Sequence, residues 1–150
     1  ISVGHKMPTW VETACAEYTK RMPREASVEI IDIKPEKRAA GNSTENIQLI
    51  EAKRILDAIG KDYCIALDER GQEVTTLQLA DKFKDWQFSG RDVALIIGGA
   101  DGLHVSVKQK ADWLWGLSKL TLPHAMVRVL LAEQLYRAHS VISNHPYHRE

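Results

Sequence analysis

Five of the six histidines fall in the last third of the chain: His104, His124, His139, His145 and His148. Histidine titrates near neutrality, so it is the side chain best suited to take up or release a proton at working pH. Three of them lie in two short stretches of unusual composition. "LSKLTLPH", residues 117–124, alternates apolar with small polar residues and ends in Pro-His at a helix start. "NHPYHRE", residues 144–150, packs two histidines, an aromatic ring and an arginine into one tail. A third stretch, "ALIIGGADGL" at 94–103, is an aliphatic run halted by Gly98 and Gly99. Paired glycines there mean either a sharp turn or a backbone that something approaches closely.

Each stretch admits two readings. Leu117, Leu120 and Leu122 can line an apolar slot for a flat ring whose edge bonds the loop backbone, or can plug the core beside the following helix. The tail can stack on bases and touch phosphates, or fray as chain ends do. Arg128 and Arg137 both suit a helix surface, Arg137 the more so.

Several chemistries lack sequence support. There is no G-x-G-x-x-G, no G-x-x-x-x-G-K-[ST] and no G-x-S-x-G. No Cys, His and carboxylate cluster has zinc spacing. Cys15 and Cys64 are isolated and read as reduced thiols of a cytoplasmic protein. Twenty basic residues balance twenty acidic ones, which excludes a generally basic coat for nucleic acid but not a local patch. No apolar run reaches the length of a membrane span, and no signal-peptide pattern opens the chain. The opening "ISVGH" reads as the end of a strand clipped at its start.

These groups must be held by an alternation of strands and helices. A helix is predicted from about Thr9 to Met22, with Thr9 and Glu12 as a capping box and Pro23 as its stop. "VEIIDI" (28–33) reads as a strand and "KPEKRAAGNS" (34–43) as a mobile polar loop. A second helix runs from about Thr44 to Ile59, with Leu49, Ala52, Leu56 and Ile59 inward and Gly60 as its end. "YCIAL" (63–67) is a buried strand followed by a charged turn, "DERG". A third helix spans about Thr76–Gln87, and "VALII" (93–97) is an apolar strand of the kind covered on both faces. A brief strand lies near "WLWGLS". The last helix runs from about His124 to Ala138, with Val127, Leu130, Leu131, Leu135 and Ala138 inward. The pattern argues one α/β domain with a parallel sheet, whose ligand loops leave the carboxyl ends of strands. Those loops are "LDERG", "GGADGL" and "LSKLTLPH".

The stretches "LIIGGADGL", "LSKLTLPHAMVRVLLAEQLYRA" and "NHPYHRE" closely resemble the bacterial RlmH family, SPOUT-class methyltransferases of the large-subunit ribosomal RNA. The resemblance runs from "VGHKM" to the last residue, and is weak only over about residues 34–62. It implies a parallel-sheet SPOUT fold across residues 1–150, with the C-terminal part threaded as a trefoil knot. It also implies a homodimer in the cytoplasm, with no membrane and no DNA partner. The expected activity is methylation of ring nitrogen 3 of a pseudouridine in 23S ribosomal RNA, on the assembled ribosome. The expected donor is S-adenosylmethionine. By position, Leu67 precedes its first loop, Gly98 and Gly99 form the second, and Leu117, Ser118, Lys119, Leu120, Thr121 and Leu122 form the third.

S-adenosylmethionine carries an activated methyl group, so the protein's tasks are alignment and proton removal, with no metal expected. Either His124 or His148 is the expected base. Arg128, one turn past His124, is expected to hold a phosphate or stabilise charge on a base carbonyl, with a surface ion pair as its other reading. Tyr147, His145 and Arg149 are the expected substrate contacts. The rival expectation is a non-catalytic RNA- or ribosome-binding module on the same scaffold.

Overall fold

The computed structural model describes residues 1–149. Among the described residues five parallel strands and five α-helices alternate. They sort into two compact units, one formed by Ile1–Lys6, Ile30–Glu73 and Asp92–His124, the other by Met7–Glu29, Val74–Arg91 and the stretch from Ala125 onward.

The first unit holds the sheet. Its strands are β1 (Ser2–Val3), β2 (Asp32–Ile33), β3 (Tyr63–Gln72), β4 (Val93–Ile96) and β5 (Trp113–Trp115). β1 pairs with β2, and β3 pairs with both β4 and β5, all in parallel. A parallel bridge from Ser2 to Ile97 joins the two sets, so the order across the sheet is β2-β1-β4-β3-β5. Helices α2 (Thr44–Ile59) and α4 (Val105–Lys110) lie on one face of it. The core there is built from alternate strand residues, Val3, Cys64, Ala66, Ala94 and Ile96, against Ala52, Ile55, Ile59 and Val107. Cys64, Ile65 and Ala66 are all fully buried, as a strand covered on both faces requires.

The second unit is helical: α1 (Thr9–Thr19), α3 (Thr76–Ser89) and α5 (His124–Ile142), the last continuing from the first unit through His124. Tyr18 of α1 meets Tyr136, Phe83 of α3 meets His139, and Thr76 bonds Gln134. Among the described residues no helix is long and apolar enough to cross a membrane.

The structure corrects several expectations. α1 ends at Thr19, and its cap is Pro8 with no side-chain bond, so Thr9 is the first helical residue and not half of a capping box. The capping box is at α3 instead, between Thr75 and Gln78. Only Asp32–Ile33 of the expected strand 28–33 pairs, because its partner β1 is two residues long; Ile30 and Ile31 stay exposed at the sheet edge. On α2, Ala52 and Ile59 are buried and Leu56 packs against the core as expected, joined by Ile47, Glu51 and Ile55, while Leu49 is exposed. α5 extends four residues beyond Ala138 to Ile142, and its buried set includes Arg128, Ala132, Tyr136 and Ser140, with Val127 and Leu130 only half-buried.

The loop at 34–43 is not loose. Glu36 N–H donates to the Glu51 carboxylate at 2.9 Å, and Arg54 bonds both the Lys34 carbonyl and the Glu36 carboxylate.

Candidate functional site

Three loops leave one edge of the sheet. The register sets Ala66 beside Ile96 and Leu67 beside Trp115, so the chain exits β4, β3 and β5 side by side at their carboxyl ends. Residues Leu67, Gly98–Gly99 and Leu117–Leu122, assigned to three loops from sequence, are thereby brought to a single rim.

The first loop is a bulge within β3. Leu67 and Gln72 both pair with Trp115, so Asp68–Gly71 is looped out between two ladder positions. The expected turn "DERG" is therefore an insertion inside a longer strand. Asp68 closes it: one carboxylate oxygen accepts the Arg70 N–H at 2.9 Å, and the other meets Lys108 of α4 at 2.6 Å. Burial works to raise the Asp68 pKa, but the bonds from Lys108 and Arg70 outweigh it and leave the carboxyl below its ordinary range.

Gly71 and Gly116 explain how the bulge meets the third loop. A β-carbon on Gly71 would lie 2.5 Å from Gly116 N, and one on Gly116 would lie 2.7 Å from Gly71 O. Only two glycines let these backbones touch. Gly116 N–H also donates to Gln72 O at 3.0 Å. Sequence reasoning passed over both residues, since nothing local says that they meet.

The second loop turns tightly, with Gly102 N–H bonded to Gly99 O at 3.0 Å and Gly102 at φ +78°. A β-carbon on Gly98 would stand 3.0 Å from Gly102 C and from the Leu103 side chain. On Gly99 it would stand 3.2 Å from Glu51 and Val3. The loop does turn sharply, one of the two readings of the paired glycines, and side chains at either position would be tightly packed. Asp101 anchors this loop, accepting from Arg38 at 2.8 Å through its carboxylate and from Gln48 at 2.5 Å through its carbonyl. His104 caps α4, its Nδ1 accepting from Ser106 N–H.

In the third loop, Leu117, Ser118 and Leu122 are half-buried, while Lys119, Leu120 and Thr121 are exposed. Leu120 is 75% exposed, so it does not plug a core. Ser118 Oγ accepts the Leu120 N–H at 2.9 Å. The loop ends at His124, whose Nε2 lies 3.1 Å from the buried Ser2 hydroxyl of β1.

The remaining candidates lie in the second unit. Arg128 is buried, which removes its reading as a surface ion pair. Burial pushes the Cys15 thiol up, and the Arg128 charge opposes that shift. The tail folds back on α5. Asn144 adopts φ +52°, and His145 N–H reaches Ser140 O at 2.8 Å, the reversal that ends many helices. The Tyr147 ring then packs 4.7 Å from Tyr136, under the Arg137 guanidinium at 5.0 Å. Its hydroxyl donates to Glu133 at 3.0 Å, and Arg137 bonds the same carboxylate. Burial first, then Glu133, push the Tyr147 phenol well above its ordinary range, so it stays a neutral donor. Arg137 is therefore a tail anchor and not a bare surface cation. His148 Nδ1 lies 3.4 Å from Ser140 Oγ, His145 Nδ1 accepts from Tyr147 N–H, and Arg149 is exposed.

A parallel α/β sheet with three backbone loops at its carboxyl edge defines a ligand-binding enzyme fold, and residues 1–148 match the family described as "Predicted SPOUT methyltransferase". The chain belongs to the SPOUT methyltransferase family. It is 73% identical over 150 residues to the ribosomal RNA large subunit methyltransferase H of Methylobacillus flagellatus, covering 100% of this chain and 97% of that one. Proteins of the same name from Hydrogenovibrio crunogenus and Paraburkholderia phymatum are 54% and 55% identical, over 100% and 99% of this chain and 97% and 96% of theirs.

Proposed function

We propose that the chain methylates ring nitrogen 3 of a pseudouridine in 23S ribosomal RNA, with S-adenosylmethionine as donor. It does so as a cytoplasmic homodimer acting on the assembled ribosome. The whole chain works as one SPOUT domain, with its C-terminal part threaded as a trefoil knot. The observation that carries the reading is the convergence of the three loops at the carboxyl edge of β4-β3-β5.

The residues present suit this donor. A flat heteroaromatic ring with a polar edge needs apolar walls and backbone bonding groups. Half-buried Leu67, Leu117 and Leu122 offer the first, and the loop backbones at Gly98–Gly99 and Ser118–Thr121, including Lys119 and Leu120, offer the second. When bound, S-adenosylmethionine supplies a methyl group already activated on a sulfonium.

The chain's own work is then to orient the nucleophilic nitrogen, exclude water and take its proton. His124 is a positioning residue in this reading, because its Nε2 is engaged by Ser2 and pins the end of the third loop to β1. His148 accepts the proton. Arg128 steadies charge on the base or a neighbouring phosphate. Tyr147, held by Tyr136, Arg137 and Glu133, fixes the tail so that it, His145 and Arg149 contact the RNA.

A methylation assay with radiolabelled S-adenosylmethionine on ribosomes, isolated large subunits and free ribosomal RNA tests the reading. Transfer is expected to be strongest on ribosomes. No transfer to any of the three, with calorimetry showing no binding of S-adenosylmethionine, would overturn it.

A further inference from the structure

A chain with zero formal charge needs a local patch to hold a polyanion, and segment 34–43 supplies one. It carries Lys34, Lys37 and Arg38 against the single carboxylate of Glu36. Several cations elsewhere are neutralised by their neighbours: Lys20 and Arg21 share Glu17, Lys84 meets Asp81, and Lys108 meets Asp68. Lys34 and Lys37 are exposed, and among the described residues neither has a carboxylate within ion-pair range.

The segment is also a fixed platform. The buried Glu51 carboxylate holds the Glu36 backbone, and Arg54 holds the Lys34 carbonyl at 2.8 Å. At its far side Arg38 bonds Asp101 of the glycine loop at 2.8 Å while its side chain remains 63% exposed. A guanidinium has five N–H donors, so one carboxylate does not exhaust it.

We propose that Lys34, Lys37 and Arg38 form a docking surface for the RNA sugar-phosphate backbone, and that the Arg38–Asp101 pair ties this surface to the donor loop at 98–103. RNA bound on the segment then steadies the loop proposed to hold the donor. The inference rests on the reading of the chain as a ribosomal RNA methyltransferase. A backbone already held at Lys34 and Glu36 suits phosphate contact because less backbone freedom is lost on binding.

The test uses the full chain and Lys34→Gln/Lys37→Gln, with three measurements. Affinity for purified large ribosomal subunits is measured against salt. Affinity for S-adenosylmethionine is measured by calorimetry, and KM and kcat by methyl transfer. The double variant is expected to bind subunits several-fold more weakly, with a salt slope shallower by about 1 to 2. Its KM for the RNA substrate rises while kcat and the affinity for S-adenosylmethionine hold. Unchanged subunit affinity and salt slope overturn the docking surface. Asp101→Asn cuts the tie and keeps the cations, so it is expected to weaken S-adenosylmethionine binding several-fold without changing subunit affinity. Unchanged donor affinity overturns the coupling. If the unmodified chain transfers no methyl group, the parent reading fails, and the subunit-binding arm alone decides the docking surface.

Discussion

Single residues set the rim on which the three loops meet. Gly71 and Gly116 touch backbone to backbone, so a methyl group at Gly71 has nowhere to go: its nearest neighbours at 2.5 Å are backbone atoms of Gly116 and Trp115. Gly98 is less constrained, because one neighbour at 3.0 Å is the Leu103 side chain, which can shift. Gly71→Ala is therefore expected to cost more than Gly98→Ala, at the upper end of the roughly 1–3 kcal/mol typical of overpacking. That is about 2–4 °C of melting temperature per kcal/mol in a chain of this size. Thermal denaturation of both variants checks the order, and equal melting temperatures would contradict it. Asp68 gives a pH dependence. Its folded pKa lies below the ordinary value of about 4, so the carboxylate stabilises the fold above that pH, and this contribution is lost as pH falls through the folded pKa. The stability gap between the protein and Asp68→Asn is expected to be widest above about pH 4 and to close below it. Urea unfolding across that range measures it, and a gap that grows on acidification would refute the assignment.

At the scale of elements, the alternation of strands and helices was legible because apolar runs such as 93–97 and terminators such as Gly60 are local signals. What was not legible depends on partners distant in sequence. On α2 the expected Ala52, Leu56 and Ile59 do face the core, but Glu51 is buried beside them, its burial offset by the Glu36 backbone in a bond that no periodicity shows. Segment 34–43 reads as a mobile loop by composition, yet Arg54 and Asp101 hold it from outside. The three loops at the carboxyl edge were legible in the sequence because they follow strands; the Gly71–Gly116 contact between two of them was not, because it pairs residues far apart in the chain. The end of α5 offers a direct test. Asn144 sits in the left-handed region, which asparagine and glycine tolerate and β-branched residues resist. Asn144→Gly should fold like the parent, whereas Asn144→Val should cost about 1 kcal/mol or more and release the tail. Limited proteolysis after Ile142, read by mass spectrometry, reports that release. Equal cleavage of both variants would show that the reversal does not depend on this backbone conformation.

At the scale of the whole molecule, the proposed donor loops belong to one compact unit and the tail with His148 to the other. The tail is a folded element: Tyr147 packs on Tyr136 and bonds Glu133. Removing residues 144–150 should therefore lower stability by about 1 kcal/mol through the lost aromatic pair. It should leave binding of S-adenosylmethionine nearly intact and cut methyl transfer by orders of magnitude, since positioning and proton removal both suffer. We propose that each tail serves the donor loops of its partner in the dimer. A mixed dimer distinguishes this from service within one subunit. One subunit lacks residues 144–150, and the other carries Gly98→Val, whose branched side chain jams the donor loop against Gly102 and Leu103. If each tail serves its own subunit, neither half of the mixed dimer has both parts, and it is dead. If the tails cross, the tail-deleted subunit keeps an open donor loop and receives the partner's tail, so about half of the normal activity survives, one of two sites being complete. Sedimentation first establishes that the mixed species is a dimer, and single-turnover transfer to ribosomes then reads the outcome. A dead mixed dimer refutes the crossing, and a tail-deleted homodimer with full activity refutes the tail's part in catalysis altogether.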